Sequence, residues 1–241
     1  MTTKAKKKPT PAARKTARRP AATTPRSTSP ASAQRRLRLI ENKRGAILQA
    51  ALGLFSRFGL HGTSLDQVAA RADVSKSNLL YYFASKEELY VAVLRDLLAL
   101  WLAPLKAFSA EQDPREAIEA YVRAKLVDSR DQPEASRLFC LEMVQGAPLL
   151  KTELEQSLRP LVDAQSGVIR QWITQGRLKA TVEPRHLIFA LWATTQHYAD
   201  FAVQVHAISG KTLDDPGFFE EAVASVQRLV LDGVAMPRSR R

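Results

Sequence analysis

The chain has 241 residues, 45% of them hydrophobic, and its nine Phe, five Tyr and three Trp are enough to fill a sizeable core. No apolar run approaches the roughly 20 residues that cross a bilayer, and the basic N-terminus lacks the apolar stretch of a secretory signal. Together with a single cysteine, Cys140, these features argue against a membrane protein, an exported protein or an intrachain disulfide, and they favour a cytoplasmic setting.

Positive charge is concentrated at the N-terminus. Residues 1–40 contain twelve Lys and Arg and no acid, which is the whole formal net charge of +12, so residues 41–241 are neutral. Residues 1–36 are rich in Pro, Ala, Thr and Ser, and they have too few bulky apolar side chains to offset the entropy lost on ordering. We therefore expect a disordered basic arm that contacts the phosphates or the minor groove of DNA. A solubilising tail is the alternative.

The first helix of a head domain is predicted from Ile40. Apolar residues recur at spacings of three and four as far as Phe58, which is the pattern of one buried helix face. Gly59 follows directly, at the position where a left-handed C-terminal cap is expected.

Two short helices are predicted to follow. Ser64 with Gln67 is a capping box that begins the first, and Ser75 caps the second. Asp73 lies in the tight turn between them, where Asp tolerates a left-handed conformation better than most residues. Two short helices, a tight turn and a preceding helix predict a helix-turn-helix DNA-binding domain over residues 37–85.

The second helix of such a motif places its N-terminal residues against base edges in the major groove. Here those residues are Lys76, Ser77 and Asn78, and Lys suits guanine while Asn pairs with adenine. Hydroxyls and cations near the helix ends are suited to phosphates. The candidate DNA contacts are therefore Lys43, Thr63, Ser64, Ser75, Lys76, Ser77, Asn78, Tyr81, Tyr82 and Lys86. A plain helical corner with solvated side chains is the alternative.

The rest of the chain is predicted to be an all-helical body over residues 86–235, followed by a basic tail over 236–241. A capping box at Ser85 begins a long helix that Pro104 ends or kinks, and Pro160 is expected to kink a later one. Helix starts are also predicted at Pro114, Pro133, Pro148, Pro184 and Pro216, and helix ends at Gly146, Gly176, Gly210 and Gly233. The fold class is therefore all-α, with a three-helix head joined by the long helix to the body.

The last two helices, about residues 184–208 and 216–232, are candidates for a dimer interface. The final helix carries a wide apolar stripe that includes Phe218, Val223 and Leu229. Packing of this stripe inside its own chain is the alternative.

The stretch GTSLDQVAARADVSKSNLLYYFASKEELYVAVL, which begins at Gly62, resembles the TetR family of bacterial repressors, and Tyr-Tyr-Phe followed by Ser-Lys-Glu is its most specific part. Asp73, Ser77-Asn78 and Leu80 depart from the residues usual there, which bears on base specificity. The stretches LRDLLALWLAPLKAF, ASRLFCLEMVQGAPLL and LIFALWATTQHYADFA resemble the pyrimidine-utilisation branch of that family.

This resemblance covers about residues 41–235. It implies a homodimer that binds palindromic operator DNA, no cofactor, and a small effector, a pyrimidine such as uracil, whose binding most commonly releases the DNA. A flat effector needs an aromatic wall and an amide that both donates and accepts. The candidate effector contacts are Trp101, Phe139, Cys140, Gln171, Trp172, Trp192, Gln196 and Tyr198, with Gln196, Tyr198 and Trp192 preferred.

The sequence leaves three alternative functions. A regulator of the same family with a different small ligand has much the same sequence pattern. A hydrolase would use Cys140 as nucleophile with His197 and Asp200, but no recognisable nucleophile motif surrounds Cys140. A nonspecific DNA-binding protein would use the basic arm alone. No set of residues has zinc-site spacing, and no phosphate-binding glycine loop is present.

Overall fold

The computed structural model describes residue 2 and residues 30–236. The chain divides into two compact units, residues 1–39 and residues 40–241. Over the described part, every regular element is helical, and the one β contact is an isolated bridge between Leu178 and Ala235. The all-α prediction is confirmed. Most of the predicted basic arm and of the basic tail lies outside the described residues.

Helix α1, Pro30–Gly62, begins inside the segment predicted to be disordered. Pro suits the first turn of a helix, and the Ala, Gln, Arg and Leu residues that follow are good helix formers, so residues 30–36 extend the helix toward the N-terminus. Gly59 interrupts the helical geometry with φ 68° and ψ 179°, a conformation that is essentially restricted to glycine. The first helix thus breaks at Gly59 as predicted, but through this extended ψ and not through a left-handed cap, and a helical turn resumes to Gly62.

Helices α2 (Leu65–Arg71) and α3 (Lys76–Tyr82) form the predicted helix-turn-helix. The capping box at Ser64 is complete, and Asp73 in the turn has the predicted positive φ, 53°. Helix α4 (Lys86–Lys106) begins at the predicted cap, but the Glu88 carboxylate accepts a hydrogen bond from Ala84 N instead of closing a box with Ser85 N. It continues through Pro104 and ends two residues later.

The body contains α5 (Pro114–Asp131), α6 (Pro133–Val144), α7 (Lys151–Glu153), a π-helical turn (Leu154–Leu158), α8 (Arg159–Thr174), α9 (Pro184–Asp200), α10 (Ala202–Ser209) and α11 (Pro216–Val234). Gly146, Gly176 and Gly210 follow helix ends with positive φ, as predicted. Two predictions are corrected: Pro148 lies in a turn before α7, and Gly233 lies within α11 because the helix runs one residue further.

Two segments of the body are irregular, one unexpectedly and one where Pro160 was predicted to kink a helix. The single helix expected over 184–208 is broken at Phe201, whose φ of −115° and ψ of 31° separate α9 from α10. The turn before Pro160 is π-helical, which is consistent with the missing N–H of proline disturbing the helical hydrogen-bond ladder.

The buried side chains form two clusters, and α4 contributes to both of them. One cluster contains residues of the four helices α1, α2, α3 and α4 and of the start of α6, and it includes Phe55, Leu79 and Trp101. The other cluster lies among α5, α8, α9 and α11 and begins on α4 at Leu105. Helix α4 is therefore packed into the head at its start and into the body at its end.

The apolar stripe of α11 faces mainly inward. Phe219, Val223 and Val226 are buried in the body core, whereas Leu229 is 68% exposed. Most of the stripe thus packs inside its own chain, which was the alternative to its prediction as a dimer face.

Candidate DNA interface and effector cavity

Helix α3 presents its N-terminal residues to solvent. Ser75 caps the helix, and its Oγ accepts a hydrogen bond from Asn78 N at 3.1 Å. Lys76 and Ser77 are exposed and Asn78 is partly exposed, while Leu79 is fully buried and anchors the helix on the head core. The three predicted base-reading residues therefore lie together at one open helix end.

Lys76 makes the main polar contact of this end within the protein. Its Nζ lies 2.9 Å from Asp66 Oδ2 of α2, and the two side chains are 51% and 68% exposed. An ion pair as exposed as this contributes only about 0–1 kcal/mol to stability. A DNA base or phosphate can therefore displace Asp66 from Lys76 at little cost.

Tyrosines and a lysine flank the recognition helix. Tyr81 is 78% exposed, and Tyr82 is partly buried with its ring edge-on to Tyr81 at a centroid distance of 5.4 Å. Lys43 of α1 is exposed. These side chains have the accessibility that contact with a DNA backbone requires.

Three of the predicted phosphate contacts are engaged in holding the head together. The Thr63 side chain is buried, and its hydroxyl donates to Gly59 O at 2.9 Å, so its prediction as a hydroxyl contact to DNA is corrected. Lys86 Nζ donates to Thr63 O at 3.0 Å. Ser64 is exposed, but its Oγ accepts from Gln67 N as the helix cap. Lys86 and Ser64 thus retain only part of their hydrogen-bonding capacity for DNA.

A cavity of about 280 Å³ lies in the body. Its walls come from α4, α5, α6, the π-helical turn and α9. The lining residues are Leu98, Trp101, Leu102, Lys125, Phe139, Met143, Leu154, Leu158, Trp192 and Gln196. Trp101 and Phe139 meet edge-to-face with a centroid distance of 5.7 Å. The cavity is thus largely apolar and aromatic, with few polar groups, as small-molecule sites are.

Two residues of the cavity lining carry buried hydrogen-bond donors, Trp101 and Lys125. The indole Nε1 of Trp101 is buried without a hydrogen-bond partner. Lys125 is 3% exposed, and its Nζ lies 4.9 Å from the Trp101 ring centroid. Within the described part of the chain no carboxylate oxygen lies within 4.0 Å of that amine. An acceptor atom is the kind of partner that a buried lysine amine requires.

Burial lowers the pKa of the Lys125 amine to about 8, although the nearby carboxylates of Asp128 and Asp200 act in the opposite direction. The amine is therefore mostly protonated at neutral pH and remains a hydrogen-bond donor. The other aromatic donor, Trp192 Nε1, is already satisfied, because it donates to Tyr121 Oη at 2.8 Å.

The structure brings together half of the predicted effector contacts. Trp101, Phe139, Trp192 and Gln196 line the cavity. Gln196 is partly buried, and its amide is able both to donate and to accept. These four side chains belong to α4, α6 and α9, so the folded bundle assembles them from distant parts of the sequence.

The structure places the other candidates elsewhere. Gln171 is exposed on α8, and its neighbour Trp172 is fully buried in the body core, where Nε1 donates to Ser109 O at 3.1 Å. Tyr198 packs edge-on against Phe218 of α11. These three predictions are corrected because their side chains face solvent or the core among α5, α8 and α11 instead of the cavity.

Cys140 is also outside the cavity lining. It lies near the Asp200 carboxylate, which accepts a hydrogen bond from the Ser136 hydroxyl. Burial and the Asp200 carboxylate raise the pKa of the Cys140 thiol, so the thiolate is disfavoured. His197 stacks on Phe201 at a centroid distance of 5.2 Å. The three residues of the rival hydrolase are near one another, but this environment makes the thiol a poorer nucleophile.

Lys125 is the polar cavity residue that the sequence interpretation missed. A lysine on an amphipathic helix is usually assigned to the solvated face. In α5, however, Lys125 falls in helical phase with the buried residues Ile118, Tyr121, Val122 and Leu126. The position of this lysine on the apolar face of the helix was the sequence signal that could have predicted its burial.

The described residues contain no group of three or more His, Cys, Asp or Glu side chains placed to hold a metal ion. No helix among them is long and apolar enough to cross a membrane.

The sequence matches two protein-family models that together span most of the chain. Residues 47–93 match the bacterial regulatory proteins of the tetR family, and residues 94–237 match the C-terminal region of YcdC-like proteins. The HTH-type transcriptional regulator RutR of Escherichia coli K12 is 56% identical over 200 residues, which cover 83% of this chain and 94% of RutR. The repressor NicS of Pseudomonas putida is 29% identical over 140 residues, 58% of this chain and 65% of NicS.

Solved structures share the fold. A TetR-like regulator from Rhodococcus sp. RHA1 matches with a TM-score of 0.57 and 21% identity, covering 79% of this chain and 94% of that one. The fatty acid degradation regulator FadR from Bacillus halodurans matches with a TM-score of 0.62 and 16% identity, covering 78% of this chain and 94% of that one. The same family is indicated by the helix-turn-helix head, the helical body, the family models and the relatives. The chain belongs to the TetR family of bacterial transcriptional regulators.

Proposed function

We propose that this regulator binds palindromic operator DNA as a homodimer and that a small pyrimidine such as uracil occupies the body cavity and lowers its affinity for the operator. The observation that carries the effector class is the chemistry of the cavity lining: Trp101, whose buried Nε1 has no hydrogen-bond partner, and the buried amine of Lys125, beside the Gln196 amide and three aromatic rings. The resemblance to the pyrimidine-utilisation branch and the 56% identity to RutR support the same class.

Uracil has the complementary chemistry. Its two carbonyl oxygens are acceptors for the Trp101 and Lys125 donors, its ring N–H groups suit the amide oxygen of Gln196, and its flat face suits an aromatic wall. Cytosine carries an amine in place of one carbonyl, so this amine would face a hydrogen-bond donor of the protein where uracil offers an acceptor. The cavity, about 280 Å³, lies at the lower end of the range for ligand pockets, which favours a single small ring.

Exposed apolar residues on α9 and α11 support the homodimer. Phe189 is 48% and Leu229 is 68% exposed, and a groove between these helices is lined by the small side chains of Ala190 and Thr194 and by Gly233. A second copy of the same surface would bury these groups by two-fold symmetry and place two α3 helices for an operator with two half-sites. Sedimentation of Leu229→Lys should then show a shift toward monomer, and an unshifted dimer would place the interface elsewhere.

The charge of residues 1–40 supports an additional contact with DNA that does not depend on sequence. Residues 1–29, all but residue 2 of which lie outside the described residues, contain nine of the twelve cations. Removing them should leave the preference for operator intact while weakening affinity and flattening its salt dependence. Loss of sequence preference in that truncation would instead assign recognition to the arm.

The test of the proposed function is titration of labelled DNA from the protein's own upstream region, at about 0.15 M salt with excess nonspecific competitor, with and without uracil. Specific binding that uracil weakens and a purine does not would support operator, effector and response together. Specific binding that no pyrimidine changes would retain the regulator and point to a different small ligand. Tighter binding with uracil would identify a co-repressor.

A further inference from the structure

A buried carboxylate ties the body to helix α4 near the head. Glu142, in the last turn of α6, is 2% exposed. Its Oε2 accepts a hydrogen bond from Tyr90 Oη of α4 at 3.1 Å. Its Oε1 accepts from the backbone N–H groups of Leu149 and Leu150, at 2.9 and 3.2 Å, in the loop before α7. One side chain therefore holds α6, α4 and this loop together.

The same turn of α6 forms part of the cavity wall. Phe139 and Met143 line the cavity, and Glu142 lies between them in sequence. Residues three and four apart are neighbours on a helix surface, so Phe139, Glu142 and Met143 move as one patch. A ligand that shifts this turn of α6 therefore shifts Glu142 with it.

Tyr90 is in turn packed into the head. Its ring meets Phe55 of α1 edge-on at a centroid distance of 5.1 Å, and both lie in the buried cluster that contains Leu79 of the recognition helix. One turn earlier in α4, Lys86 donates to Thr63 O just before the cap of α2. A shift of Tyr90 therefore reaches the residues that position α3.

We propose that the Tyr90–Glu142 hydrogen bond is the positioning contact through which occupancy of the cavity changes the placement of the recognition helix. Separating the two side chains would leave a buried carboxylate short of a donor, so α6 and α4 are held to move together. Burial and the neighbouring Glu142 carboxylate raise the pKa of the Tyr90 phenol, which stays a donor over the physiological range. This inference rests on the proposed function, because it names the route of that response.

Tyr90→Phe in the full chain removes the hydroxyl and keeps the ring. Gln227→Met is the matched control, because it also removes one hydrogen bond between helices, from Gln227 Nε2 of α11 to Glu119 O of α5, but away from the head. Three affinities are measured for each protein: operator alone, operator with saturating uracil, and uracil alone. We expect the uracil affinity of Tyr90→Phe to stay within about threefold of the wild type while the ratio of the two operator affinities falls about tenfold.

The control should keep the wild-type ratio. Glu142→Gln, which replaces the charged acceptor by a neutral amide, should lower the ratio less than Tyr90→Phe. An unchanged ratio in Tyr90→Phe would overturn the inference, since a purely structural hydrogen bond predicts loss of stability without loss of response.

Hydrogen exchange supplies a readout that needs no effector. Operator binding at the head should change the exchange rates of the Leu149 and Leu150 amides in the wild type and in Gln227→Met, and it should leave them unchanged in Tyr90→Phe. Operator binding that leaves these amides unchanged in the wild type would overturn the link. If uracil has no effect but the amides respond to operator only when Tyr90 is present, the effector assignment fails and the link stands.

Discussion

The two polar sites of this protein differ in how far water reaches them. In the head, Lys76 is paired with Asp66 through side chains that are 51% and 68% exposed. In the body, Lys125 is 3% exposed and faces an aromatic cavity. Exposed charges are screened and contribute little each, whereas a buried charge costs several kcal/mol unless it is satisfied. We therefore expect DNA affinity to be spread over many weak contacts and effector affinity to be concentrated in a few groups.

The largest effect is expected from Lys125→Met. The substitution removes the charged donor and keeps a flexible side chain of similar length, so uracil affinity should fall about 100-fold. Isothermal titration measures it, with Leu102→Met at the same cavity as a control that should change affinity less than fivefold. Equal losses in the two variants would mean that Lys125 only fills space.

The same substitution should stabilise the ligand-free protein. Burial lowers the pKa of Lys125 from 10.5 to about 8, a difference equivalent to about 3 kcal/mol. Below pH 8 the Lys125 amine is protonated in both the folded and the unfolded chain, so the full free-energy cost of burying its charge is present there. Between pH 8 and 10.5 the folded chain releases it first, and stability rises with pH. The gain in unfolding free energy of Lys125→Met should therefore be greatest below pH 8 and shrink above it.

Asn78→Ala should have the next largest effect. Loss of a bidentate contact to adenine costs about 1–3 kcal/mol, or roughly 5- to 150-fold in operator affinity, and relaxes specificity at one base pair. Competition with operators mutated at each position measures this loss. Lys43→Ala is the comparison, since a phosphate contact should weaken binding to all sequences alike; a uniform loss in Asn78→Ala would assign it to the backbone as well.

A smaller effect is expected from pH. In the proposed site the Lys125 ammonium is the donor to uracil. Because burial lowers its pKa to about 8, uracil affinity should fall about tenfold between pH 7 and pH 9 as the amine loses its proton. Lys125→Met should lose this contribution to the pH dependence, which separates it from titration of uracil itself. A profile that is the same in both proteins would exclude the amine as the contact.

The smallest effect is expected from Asp66→Asn. The substitution frees Lys76 from an exposed ion pair, so operator affinity should rise by about two- to fivefold at low salt and by less at high salt. Salt-dependent binding curves measure it. A decrease in affinity would show that Asp66 holds Lys76 in its productive position.

The head and the cavity also differed in how well sequence predicted them. The head depends on contacts within a few residues, such as the Ser64 capping box and the positive φ of Asp73, and the structure confirms both. The cavity depends on which side of each helix faces inward after folding. Periodicity located Trp192 and Gln196, but it did not separate them from Trp172, which is fully buried in the body core away from the cavity.

The limit of prediction from local sequence is clearest at Lys125. Its burial depends on α5 packing against α9 and α11, which come from distant parts of the chain. The break at Phe201 is a similar case. Nothing local in the sequence, neither glycine nor proline, marks the change of backbone direction between α9 and α10.

Helix α4 fixes the angle between the residue that contacts the head and the residue that lines the cavity. Tyr90, which contacts the head, and Trp101, which lines the cavity, are eleven residues apart, so they lie within about 20° of the same helix face and about 16 Å apart along the axis. Inserting one residue between them would turn one end against the other by about 100°. Hybrids that combine this body with the head of a relative should therefore respond to effector only when the junction in α4 preserves that eleven-residue phase.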